Sequence, residues 1–175
     1  MKRILLLDDE VNVLHALQRT IKLMQGLDLR MELFTDPQQA LQRSAEIGFD
    51  IVMSDFRMPA MNGVDFLKQV KVRQPDAVRL MLSASSDFET VVNAVNEAEV
   101  FRYISKPWLA AELEEVIRLA LARREQILGD RHLADEVRMQ RGELTPQELE
   151  AKRLEEEEPG ITKVKWGPDG SVYFE

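Results

Sequence analysis

The chain has 175 residues, is 45% hydrophobic, contains no cysteine and carries a formal net charge of -8, which gives room for one ordinary domain with a real core plus an appendage. No disulfide framework or thiolate metal site is possible, no apolar run approaches the roughly 18 residues of a membrane span, and Ile4 to Leu7 is too short for a signal peptide, so a cytoplasmic protein off the membrane is expected. Residues 1 to 124 hold 16 Lys/Arg and 18 Asp/Glu while residues 125 to 175 hold 7 and 13; nucleic acid needs clustered cations, so this acidic tail argues against a DNA-binding module and no nucleic acid partner is expected.

The first apolar run, Ile4-Leu5-Leu6-Leu7, predicts a buried strand near 3 to 8 that ends in Asp8-Asp9-Glu10. An amphipathic helix near 11 to 25 and a strand near 29 to 34 follow. Asp36-Pro37 supplies an N-cap and an N1 proline for a helix near 37 to 47. The next strand, near 50 to 55, delivers Asp55 to its end, and Phe56-Arg57-Met58-Pro59 turns the chain at once. After a helix near 63 to 74, Leu80-Met81-Leu82-Ser83 ends a strand near 77 to 82 in a hydroxyl. Ser86-Asp87-Phe88-Glu89 has capping-box spacing for a helix near 87 to 97. Tyr103-Ile104-Ser105-Lys106-Pro107 ends a strand near 100 to 104 in a lysine, and a helix near 109 to 128 follows. Short apolar runs alternating with amphipathic stretches describe an α/β fold, a doubly wound parallel sheet covered by helices on both faces. Ligands in such sheets sit beyond the carboxyl ends of the strands, which is where the acids, the hydroxyl and the lysine fall.

The tail reads differently. The stripe Leu109, Leu113, Val116, Ile117, Ala120, Ile127 and Leu128 runs on past Gly129 through Leu133 and Val137, long enough for a dimer stalk. Gly142 and Leu144-Thr145-Pro146-Gln147-Glu148 mark a helix stop and a new start, with Thr145 as cap, and the second helix ends near Glu158-Pro159-Gly160. Ile161 to Trp166, a Gly167-Pro168-Asp169-Gly170 turn and Ser171 to Phe174 read as a β-hairpin. Isolated hairpins are marginal in water, so this one needs a surface: its own domain, a second subunit or a partner's sheet edge. The expected units are 1 to 124, 125 to 158 and 159 to 175.

Three carboxylates at adjacent strand ends repel one another by a few kcal/mol per close pair at an effective dielectric of about 20, and a hard divalent cation with oxygen ligands, Mg²⁺, resolves the conflict. With charge neutralised by the metal and Lys106, Asp55 is placed to act as an in-line nucleophile toward a phosphoryl group. Ser83 would donate to a phosphate oxygen and draw its loop inward.

These four ordered motifs resemble the receiver domain of bacterial two-component response regulators over about residues 1 to 124. The resemblance implies a flavodoxin-like five-stranded parallel sheet of order 2-1-3-4-5, Mg²⁺ on Asp8, Asp9, Asp55 and the Arg57 backbone carbonyl, and phosphate taken by Asp55 from a sensor histidine kinase. It further implies phosphate contacts from Ser83 and Lys106, a switching aromatic at Tyr103 and a cis Lys106-Pro107 bond. Phe101-Arg102-Tyr103 and Trp108 depart from the commoner residues and look like receivers attached to cyclic-dinucleotide phosphodiesterases or hydrogenase regulators. A long cation at Arg57 leaves the phosphate lifetime open.

Taken singly, each feature has a plainer reading: Asp8-Asp9-Glu10 as acids complementing a helix dipole, Ser83 as a cap, Lys106 as a solvated lysine, Tyr103 as a strand aromatic. Their joint placement carries the weight. His15 and His132 lack partners at metal spacing and read as surface or boundary residues. The expected function is a phosphorylation-controlled switch, not an enzyme, acting through its own dimerisation or a further protein partner. Two rivals stand beside it, a Mg²⁺-dependent aspartate-nucleophile phosphatase and a constitutive dimeric scaffold. The phosphatases resemble this site but carry an Asp-x-Asp nucleophile pattern on the first strand, where this chain has Asp8-Asp9-Glu10.

Overall fold

A computed structural model describes residues 1–84, 97–157, 165–166 and 172–173. Five parallel strands, β1 (Lys2–Leu7), β2 (Leu29–Phe34), β3 (Ile51–Asp55), β4 (Val78–Ala84) and β5 (Arg102–Lys106), form a sheet of order β2-β1-β3-β4-β5. This is the expected flavodoxin-like order. Strand β1 lies between β2 and β3, with Ile4 level with both Met31 and Ile51.

Alternation along the strands sorts the core into two layers, as the period of two requires. Ile4, Leu6, Ile51, Met53, Leu80 and Leu82 face one way and pack with Leu14, Leu17, Ile117 and Ala120. Leu5, Leu7, Val52 and Met81 face the other way, against Leu41, Phe66, Leu67 and Val70. The first layer is covered by α1 (Val11–Lys22) and the start of α4 (Ala110–Gln140), the second by α2 (Pro37–Glu46) and α3 (Gly63–Arg73). Helix starts follow local chemistry: the Asp36 carboxylate accepts the Gln38 N–H at 2.8 Å with Pro37 beside it, and the Asn62 side chain accepts the Asp65 N–H at 2.9 Å. The expected helix near 87 to 97 and its Ser86 cap lie outside the described residues, apart from Glu97 and Ala98, which are helical.

Two boundaries moved. Strand β5 begins at Arg102, two residues later than the apolar pattern placed it, and includes Lys106. Helix α4 passes the bound near 128 and follows the apolar stripe through Gly129, Leu133 and Val137 to Gln140. Gly142, at φ +71°, ends it. The Glu143 N–H donates to the Arg138 carbonyl at 2.9 Å and the Gly142 N–H to that of Met139 at 3.0 Å, a Schellman closure that needs the left-handed glycine. Helix α5 (Pro146–Glu157) starts with the expected capping box, in which the Thr145 N–H donates to Glu148 at 2.8 Å and the Glu148 N–H to the Thr145 hydroxyl at 3.2 Å. It returns along α4, where Lys152 donates to the buried Asp135 at 2.7 Å. Arg124 and Arg131 of α4 reach Asp76 before β4, and Arg124 also lies 3.6 Å from Asp50 before β3. Beyond α5, β6 (Lys165–Trp166) and β7 (Val172–Tyr173) pair antiparallel as the hairpin pattern requires; its turn lies outside the described residues.

Sequence reading missed Arg79. In a central strand an arginine breaks the apolar pattern, and this one is 6% exposed. Its guanidinium donates to the carbonyls of Ala98 at 2.9 Å and Ala77 at 2.7 Å, so it ties the segment entering β5 to the start of β4. Burial lowers its pKa from the ordinary value, against the pull of Glu99 and Asp76. Arg79→Ala strands buried carbonyls and leaves a cavity, and is expected to cost about 3 kcal/mol; urea denaturation would show this as a lower midpoint at unchanged slope.

Candidate functional site

The parallel register brings the four motif-bearing strand ends side by side, with Leu7 level with Ser54, Asp55 with Leu82, and Ala84 with Lys106. Asp8 follows β1 and is fully buried; Asp55 closes β3 at 5% exposure. Lys106 closes β5, and its Nζ lies 2.6 Å from Asp8 Oδ2 and 2.6 Å from Asp55 Oδ1. One carboxylate oxygen each from Asp8, Asp9 and Asp55 lie within 4.8 Å of one another, with Asp9 on the solvent side. A sequence separation of 98 residues between Asp8 and Lys106 is thus closed to a hydrogen bond.

Local structure fixes each group. Asp8 Oδ1 accepts the Glu10 N–H at 2.9 Å, which leaves Oδ2 for Lys106. The Phe56 N–H donates to the Leu82 carbonyl at 2.8 Å, holding β3 against β4 beyond its last residue. The Arg57 backbone N–H donates to the Asp55 carboxylate. Gly63 donates its N–H to the Phe56 carbonyl at 2.9 Å, and a Cβ on Gly63 would run into the Asp55 backbone carbonyl, coming within 2.9 Å of its carbon. Sequence reading gave Gly63 no such role. The available signal was a glycine opening a helix after the Phe56–Pro59 turn, at a position where better helix formers abound.

The electrostatics follow from burial and proximity. Burial pushes the Asp55 carboxyl above its ordinary pKa, against the Lys106 hydrogen bond that pulls it down, and the Asp8 charge adds to the rise. Burial alone would lower the Lys106 pKa, but its bonds to Asp55 and Asp8 outweigh that and hold it above the ordinary value. Lys106 is therefore a firm cation. Three carboxylates against one ammonium leave two negative charges, and carboxylate oxygens no more than 4.8 Å apart repel by at least about 3 kcal/mol at an effective dielectric of 20. An all-oxygen donor set with that residual charge, open to solvent on the Asp9 side, fits a hard divalent cation.

A raised folded-state pKa means that ionising Asp55 costs stability: the contribution is complete below the unfolded value and is lost as pH rises through the folded one. In metal-free protein Asp55→Asn is therefore expected to raise Tm at pH 7, and the gain should shrink as pH falls toward 4, the region of the ordinary carboxyl pKa. An equal or lower Tm by calorimetry in chelator would contradict the burial argument.

The remaining expected residues sit nearby. Ser83 is buried on β4 at the same sheet edge, its hydroxyl donating to the Ala84 carbonyl at 3.0 Å. Tyr103 lies on β5 level with Met81 and is 46% exposed, outside the carboxylate cluster. The Lys106–Pro107 bond is cis. Trp108 packs on the first core layer, its indole N–H 3.5 Å from the Thr20 hydroxyl. Among the described residues neither His15 nor His132 joins a metal-competent group, and no helix is long and apolar enough to cross a membrane.

Residues 4–118 match the family model of the response regulator receiver domain. The chain is 33% identical over 132 residues to the hydrogenase transcriptional regulatory protein HoxA of Cupriavidus necator, a match covering 75% of this chain and 26% of that protein. It spans about a quarter of the length of the curated relatives it matches first. Among solved structures, the signal receiver domain of an HD domain-containing protein from Pseudomonas fluorescens superposes with a TM-score of 0.66 at 32% identity, covering 71% of this chain and 98% of that one. A structure described as an adenylate cyclase from Rhodopirellula baltica gives 0.70 at 28% identity, covering 76% and 96%.

Proposed function

Because the chain belongs to the response regulator receiver family, we propose that it is a phosphorylation-controlled switch in which Asp55 takes a phosphoryl group from a sensor histidine kinase in the cytoplasm. The observation that carries the reading is the Lys106 ammonium set 2.6 Å from both Asp8 and Asp55, because one cation shared by two buried acids can turn to an incoming phosphate. Asp8, Asp9, Asp55 and the Arg57 backbone carbonyl would hold Mg²⁺. That ion, when bound, neutralises charge on the phosphoryl oxygens.

An Asp55 carboxylate oxygen attacks phosphorus as the bond to the kinase histidine nitrogen breaks, leaving an aspartyl phosphate on this chain; the departing ring nitrogen takes a proton from solvent, so the donor is released as neutral imidazole. Lys106 keeps Asp8 and exchanges its Asp55 contact for a phosphate oxygen. Ser83 turns its hydroxyl from the Ala84 carbonyl to the phosphate, and Tyr103 reports the shift at β5. Receiver domains are typically signalling modules without catalytic turnover, and the output proposed here is protein interaction or assembly. Residues 1 to 124 would form the phosphoacceptor unit, with 125 to 158 and 159 to 175 as helical extension and hairpin. HoxA is named a transcriptional regulatory protein; the acidic composition of residues 125 to 175 favours a protein partner for this segment.

Incubation with acetyl phosphate and Mg²⁺ is expected to add one phosphoryl group by intact mass, and excess chelator to prevent it. No mass gain, or a phosphoryl group on another residue, would overturn the proposal.

A further inference from the structure

Helix α4 extends about two and a half turns beyond Arg131, which reaches Asp76 at the sheet end, and one of its faces there is uncovered by the described residues. Leu133 is 68% exposed and Val137 40%. With Asp130, Ala134, Arg138 and Arg141 they line a shallow groove. Spacings of three, four, seven and eleven place Asp130, Leu133, Ala134, Val137 and Arg141 on a single helix face. That face reads acid, apolar, small, apolar, base from its amino to its carboxyl end.

Such an order is self-complementary only when two copies run antiparallel. About a twofold axis near residue 135, Leu133 of one copy meets Val137 of the other, Ala134 lets the backbones approach, and Asp130 lies beside the opposite Arg141 at both ends. A parallel pair would instead oppose acid to acid and base to base. The buried Asp135, held by Lys152 of α5, points away from this face and keeps the returning helix off it.

We infer that the face Asp130–Leu133–Ala134–Val137–Arg141 docks a second copy of this chain, antiparallel and isologous. This rests on assembly as the proposed output, and it adds that the extension pairs two copies, by which face and in which direction. A contact of about twelve residues per chain falls below the roughly 1,200 Å² of stable interfaces, so the pair is weak and concentration-dependent.

Sedimentation velocity of the full chain over a wide concentration range tests it, with far-UV circular dichroism confirming that these exposed-face variants keep their helices. Wild type should move from 20.1 kDa toward twice that mass. Asp130→Arg and Arg141→Asp each set like charges together at both ends and should weaken pairing about tenfold. The doubly swapped chain, and a mixture of the two single variants, should restore it. A wild-type dimer untouched by either single swap would overturn this face while leaving self-pairing intact. A wild type that stays at 20.1 kDa throughout would overturn both.

Discussion

Asp55→Asn should abolish phosphate uptake from acetyl phosphate and Mg²⁺, lowering the rate at least about a thousandfold, equivalent to about 4 kcal/mol of transition-state stabilisation. An amide lacks the anionic oxygen that forms the new bond to phosphorus, and it removes one of the three carboxylates that converge within 4.8 Å. The fold should survive, since the substitution is isosteric and removes a charge that burial penalises. Paired with the expected rise in Tm, the variant would be more stable and inert. Stopped-flow or intact-mass kinetics would read the rate, and a mutant phosphorylated as fast as wild type would move the acceptor elsewhere.

Gly63→Val should damage both fold and site. No rotamer relieves the clash, because the obstacle to a Cβ is the Asp55 backbone carbonyl and not a flexible side-chain tip. Either the start of α3 or the end of β3 must shift, and overpacking of this kind costs typically 1–3 kcal/mol, roughly the upper end here because two backbones are in contact. The Gly63 N–H bond to the Phe56 carbonyl would be lost with the shift, and Asp55 would leave its alignment with Lys106. Misplacement by about 1 Å can cost a hundredfold in rate. Denaturant midpoint and uptake rate should therefore fall together; a variant with wild-type stability and uptake would show the close approach to be harmless.

Much of this was legible in the residues. The runs Ile4–Leu7 and Ile51–Asp55 announced buried parallel strands because both faces must be apolar, and Asp36-Pro37 and Thr145 to Glu148 announced helix starts because capping is local chemistry. Glycine at 142 foretold the end of a helix, since its left-handed backbone suits few other residues. The reach of α4 was legible only in part: the apolar stripe continued past Gly129, but one exposed glycine could not show whether tertiary contacts would hold the helix together. They do so through Arg124 and Arg131 on Asp50 and Asp76.

Arg79 was not legible, and Gly63 only as a poor helix former opening a helix. A charged residue in a strand run looks like a surface position until the Ala98 and Ala77 carbonyls are found around it. A glycine at a helix start looks ordinary until the Asp55 carbonyl is found against it.

The sequence by itself determined the alternation of strands and helices, the helix caps and the identity of the strand-end acids, hydroxyl and lysine, because periodicity, capping and charge are properties of neighbouring residues. Only the tertiary structure decided that Lys106 bridges Asp8 and Asp55, that Ser83 turns to Ala84, and that α5 returns along α4 to bury Asp135. Those are contacts across many residues of chain, set by strand register and helix packing, and no local pattern encodes which of a lysine's available acids will lie within reach.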